Sequence, residues 1–73
     1  MTFDEATTRL LELARGREGI ITADVVENDS ELADEKLIVS AAAHALAGST
    51  NVFATSGGTG WFPYQELRFT ELH

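Results

Sequence analysis

Ser40 and His44 stand four residues apart in a stretch that reads as helix, which puts a hydroxyl and an imidazole on one helical face. A nucleophilic serine needs such a base, an acid to orient the base, and donors for the oxyanion. The same stretch offers only Asp34 and Glu35 as orienters, one or more turns away and aimed elsewhere. One helix also cannot set an oxyanion hole opposite itself. The pair reads as a polar seam on an alanine-rich helix, and no enzyme is expected.

Six carboxylates, Asp24, Glu27, Asp29, Glu31, Asp34 and Glu35, fall within twelve residues. A calcium-binding EF-hand loop needs oxygen ligands at positions 1, 3 and 5 and glycine at 6. Counted from Asp24, position 3 is Val26 and position 6 is Asp29, so the pattern fails. Zinc fares no better, with no cysteine and only His44 and His73 as imidazoles. Neither a metal nor any other cofactor is expected.

The glycines of Ser56-Gly57-Gly58-Thr59-Gly60 invite comparison with a phosphate-binding loop. That loop requires a following Lys-Ser/Thr and a helix whose N–H groups meet the phosphates. Here the chain runs into Trp61-Phe62-Pro63, and a hairpin tip needing positive φ explains the glycines. No small-molecule substrate is expected.

Trp61, Phe62 and Tyr64 are three large rings within four residues. An extended backbone alternates its side chains, so the rings cannot all enter one thin core. Tryptophan and tyrosine are enriched where binding energy concentrates. Either two rings pack against the helices while Pro63 twists the third over the edge, or the run is a partly exposed contact patch; these rings, with His44 and Ser40, form the candidate interaction surface.

The elements that position these residues follow from the hydrophobic periodicity. Thr2 and Glu5 form a capping box ahead of Phe3, Ala6, Leu10, Leu13 and Ala14, which line one face of a first helix. Gly16 is placed to end it. Ile20-Ile21 is a short β-branched piece, and Thr22 caps a second helix through Glu27. Asn28-Asp29-Ser30 is a turn, with Ser30 a candidate cap. Leu37, Ile38, Ala41, Ala42, Ala45 and Leu46 then mark a third helix that starts near Ser30 or Ala33 and runs to Ala47, with Gly48 as a left-handed cap. Val52–Thr55 and a return strand from Trp61, interrupted by Pro63, make a hairpin. Glu71-Leu72-His73 is a tail. The fold class is α+β, three helices followed by a C-terminal β-hairpin, in one small domain over residues 1–73.

Leu10, Leu13, Leu37, Ile38, Ala41 and Phe53 are the expected core. With 44% apolar residues the chain is globular, yet a domain of this length leaves about 40% of its surface in water. A homodimer would supplement so thin a core. The small residues Ala41, Ala42, Ala43, Ala45 and Ala47 allow another helix to approach closely, first of all within the domain.

Net charge is −7, a balance that repels phosphate backbones and anionic membranes. No apolar run is long enough to span a bilayer, and Met1-Thr2-Phe3-Asp4-Glu5 is acidic where a signal peptide is basic, so a cytoplasmic location is expected.

The order helix, Ile20-Ile21, helix, longer helix, and hairpin of Val52–Thr55 with Trp61–Thr70 resembles the winged-helix superfamily, over roughly Phe3 to Thr70. The likeness is one of element order and length. It implies a helix-turn-helix core whose third helix and wing face the ligand, which brings Lys36, Ser40, His44, Thr55, Ser56 and Thr59 to that side. Specific DNA binding draws on several Arg or Lys, and one lysine beside two carboxylates does not supply them. Three functions follow. The favoured one is a non-catalytic module for protein–protein interaction or self-association. The alternatives are a nucleic-acid binder using Arg9, Arg15, Arg17 and Lys36, and an acidic inhibitor or DNA mimic presenting the carboxylates from Asp24 to Glu35.

Overall fold

Strand β3 (Tyr64–Phe69) holds the molecule together, because it lies between both other strands and carries core residues. The computed structural model describes residues 1–58 and 60–71. In chain order these form α1 (Phe3–Arg15), β1 (Ile20–Thr22), α2 (Ala23–Glu27), α3 (Ser30–Ala33), α4 (Lys36–Ala47), β2 (Val52–Ser56) and β3. The sheet is antiparallel in the order β1-β3-β2. The fold is α+β, with four helices and three strands among the described residues. Thr59 of the expected wing, and Leu72 and His73 of the expected tail, lie outside the described residues.

The first helix forms as its sequence requires. Glu5 N–H donates to the Thr2 hydroxyl at 3.2 Å, and Thr2 N–H donates to the Glu5 carboxylate at 3.3 Å. Ala6, Leu10 and Ala14 point inward, while Leu13 is only half-buried. Gly16 keeps right-handed helical dihedrals. The reversal comes two residues later, where Glu18 (φ 60°) and Gly19 (φ 81°) are both left-handed. Gly19 N–H then closes back on the Ala14 carbonyl at 2.6 Å.

The expected third helix is two helices. Asp29, not Ser30, caps α3, accepting from Glu31 N–H at 3.0 Å and Leu32 N–H at 3.2 Å. Glu35 leaves helical dihedrals (φ −126°, ψ 46°), and its carboxylate meets the Met1 amino group at 3.1 Å. A new helix starts at Lys36. Gly48 ends it in the right-handed region instead of as a left-handed cap.

The core corrects the expected one. Leu10 is buried and Ile38 packs partly against the core. Leu37, however, is 88% exposed, Ala41 is exposed, and Phe53 is 65% exposed. On α4 the inward face is Val39, Ala42 and Ala43, roughly one residue round from the expected stripe. α1 and α4 pack against each other, and each buries alanines, Ala6 and Ala14 on α1 and Ala42 and Ala43 on α4. That arrangement turns Leu37 away. On the sheet, β3 buries Leu67 and Phe69, and the register pairs them with Ala54 and Val52. Phe53 pairs with Arg68 and must therefore lie on the outer face.

Trp61-Phe62-Pro63 is a bend, and the return strand begins only at Tyr64. Gln65 is the extra residue of a bulge, since Thr55 pairs with Glu66 but Ser56 with Tyr64.

Candidate interaction surface

The outer side of α4 presents Leu37, Ala41, His44 and Gly48, at spacings of four, three and four. These residues form one exposed stripe along the helix. His44 is tied to the hairpin: its Nδ1 lies 2.8 Å from the Tyr64 hydroxyl, and the rings meet edge-on at 5.3 Å and 69°. With the proton on Nε2, His44 accepts this bond from the tyrosine O–H. Ser40 is half-buried, and among the described residues no hydrogen bond joins it to His44. The acid at Glu35 is engaged with the N-terminus, and among the described residues no carboxylate is hydrogen-bonded to the imidazole.

The aromatic run divides. Phe62 is completely buried and is removed from the candidate surface, because the bend at Trp61-Phe62-Pro63 drives its ring into the core. Trp61 meets it at 6.0 Å and 90°, and Tyr64 at 6.3 Å and 71°, both edge-on arrangements that favour the ring quadrupoles. Trp61 and Tyr64 are half-buried, with part of each ring left to solvent.

Two glycines of the loop approach their neighbours closely. A Cβ on Gly58 would lie 2.3 Å from the Phe62 carbonyl oxygen, and one on Gly60 would strike the Glu27 carboxylate. Those glycines let the loop close on the bend and on α2.

Four of the six carboxylates in the acidic segment are held by local contacts. Asp29 caps α3, Glu31 pairs with Arg9 at 2.9 Å, and Glu35 holds the N-terminus. The Thr22 hydroxyl, hydrogen-bonded to the Asp24 carboxylate, holds that group below the usual aspartate range. Among the described residues no group of three or more His, Asp or Glu side chains is placed to hold a metal ion.

The basic residues form no patch. Arg9 is committed to Glu31 and stands 3.9 Å from Asp29. Lys36 follows Glu35, which lies against the start of α1, whereas Arg15 and Arg17 lie at its far end. About 20 Å of helix separates them. Arg68 pairs with Glu66 at 3.3 Å on the outer sheet face.

Charge is instead divided along the chain. Residues 1–36 contain ten acidic and four basic side chains, while from Leu37 to Thr70 the charged residues are Glu66 and Arg68 alone. The neutral half includes α4 after Lys36 and the whole hairpin. It also bears Leu37 and Phe53, which, with Phe3 (46% exposed) on α1, are the large apolar side chains most open to solvent among the described residues. Periodicity missed Leu37 and Phe53 as surface residues. The charge division, readable from residue order, points to them.

No protein-family model, curated protein or solved structure matches this chain. Among the described residues no helix is long and apolar enough to cross a membrane.

Proposed function

We propose that this chain is a cytoplasmic, non-catalytic, winged-helix-like module that works by docking on protein, either a partner or a second copy of itself. The observation that carries this reading is Leu37, almost wholly exposed at the head of the outward stripe of α4. The helix, strand, helices and hairpin in that order, with the first strand beside the last, support the winged-helix likeness. In that likeness α4 is the ligand-facing helix. Its outward side carries leucine, alanine and histidine where a DNA reader needs arginine and lysine. Burying Leu37 in an interface is worth about 1.5–3 kcal/mol, roughly a ten- to hundredfold gain in affinity.

The test is an NMR titration of the isotope-labelled protein with mixed-sequence duplex DNA at low salt, where electrostatic attraction is strongest. Unchanged spectra are expected. Shifts clustering on α4 and the hairpin would overturn the proposal in favour of nucleic-acid binding through those elements. In parallel, Leu37→Glu should abolish capture of a partner protein while leaving the fold intact. Full retention of capture would equally overturn the docking role of α4.

A further inference from the structure

We infer that this protein pairs with a second copy of itself along the free edge of β2, the two strands running antiparallel about a twofold axis at Ala54. The inference deepens the self-association in the preceding reading and rests on it.

The backbone sets up the edge. With the order β1-β3-β2, one side of β2 meets β3, and among the described residues no strand pairs with the other. Thr70 N–H donates to the Asn51 carbonyl at 3.0 Å. The alternation of an antiparallel ladder then turns the backbone groups of Phe53 and Thr55 towards β3, and those of Val52, Ala54 and Ser56 outward. Proteins usually guard such an edge with lysine, proline or inward charge. Val52-Phe53-Ala54-Thr55-Ser56 has none of these.

Charge selects the occupant. At most surfaces a second copy of this chain would set acid against acid, given a net charge of −7. At β2 it would not, because the strand is uncharged and the nearest sheet-face charges, Glu66 and Arg68, already neutralise each other at 3.3 Å. A basic partner would be drawn to the first half of the chain instead.

The strand is also self-complementary. About an axis at Ala54, the two Ala54 residues exchange N–H and C=O bonds. Each Ser56 N–H reaches the Val52 carbonyl of the other copy. The Val52 N–H is left over, and it already donates to the Ser49 carbonyl at 3.3 Å. Phe53 falls opposite Thr55 of the second copy, an aromatic–β-branched pair of the kind that stabilises sheets. Five residues make a small interface, so the association is weak and concentration-dependent.

Sedimentation equilibrium over a concentration series reaching the millimolar range tests this. The mass should rise from 7.9 kDa towards twice that value. Phe53→Lys and Thr55→Lys, both at exposed positions, should stay monomeric over the same range with an unchanged circular dichroism spectrum. Ala54→Pro, which removes only an outward N–H, should do the same. In a chain without cysteine, Ala54→Cys should oxidise to a disulfide dimer much faster than Thr55→Cys, because the two Cα atoms at the axis would lie about 5.5 Å apart. A wild type that stays at 7.9 kDa throughout overturns the inference. So do edge variants that associate like wild type. If Leu37→Glu disperses the dimer and the β2 variants do not, self-association stands and the edge pairing falls.

Discussion

The hydroxyl of Tyr64, the first residue of β3, lies 2.8 Å from Nδ1 of His44, in the last turn of α4. This bond ties the loop end of the hairpin to the helix that carries the exposed stripe. Both groups are accessible to water, so the net worth of the bond is about 0.5–1.5 kcal/mol. Tyr64→Phe and His44→Ala should each lower the urea midpoint modestly, and the double variant should be less destabilised than their sum. Strict additivity in that cycle would show that the two side chains act independently.

Leu37→Ala should leave stability within about 0.5 kcal/mol of wild type, because the side chain is exposed. Leu32→Ala, at a fully buried side chain, should cost about 2–5 kcal/mol. Equal losses from the two, measured by denaturant unfolding, would refute the observed orientation of α4.

That contrast also shows which parts of the fold the residues announce. The capping box at Thr2 and Glu5, the Leu10 face of α1 and the break at Pro63 each have a strong local cause, and each is legible in the sequence. The rotation of α4 is not. In a run of Leu, Ile, Val and Ala almost every phase of the helical period is apolar, so packing against the alanines of α1 decides the phase. Phe53 is ambiguous for a similar reason. Its strand alternates with Val52 and Ala54, and the buried Leu67 and Phe69 of a later strand settle the register. Of the candidate site, His44 and Tyr64 meet as neighbours, whereas Phe62 is lost to the core through a bend that no periodicity encodes.

Acid should narrow the effect of removing the α1 cap. The Thr2 hydroxyl, and then its backbone N–H, hold the Glu5 carboxyl below the ordinary glutamate range. A depressed folded-state pKa contributes stability that is fully present above the unfolded pKa and is lost as pH falls through the folded one. Thr2→Val deletes the hydroxyl, so the variant should be less stable than wild type at neutral pH. The gap should hold constant down to the ordinary glutamate range and shrink below it. Urea midpoints for both proteins across a pH series provide the check, and a gap that widens in acid would reverse the assigned cause.

Glu18→Gly should stabilise the protein. Glu18 is the one non-glycine residue with positive φ among the described residues, at 60°. A left-handed conformation costs an L-residue roughly 1–2 kcal/mol, from contact between Cβ and the following carbonyl oxygen. Glycine removes that contact but loses more backbone freedom on folding, by about 0.5–1 kcal/mol. The side chain is exposed, so nothing packed is lost. The difference favours the variant by about 0.5–1 kcal/mol. The same turn places Gly19 N–H on the Ala14 carbonyl and delivers the chain into β1, so relief at Glu18 should leave the sheet unchanged. A rise in the thermal midpoint with an unaltered circular dichroism spectrum is the expected result. A fall would mean that the Glu18 side chain supports the turn in a way its exposure and dihedrals do not register.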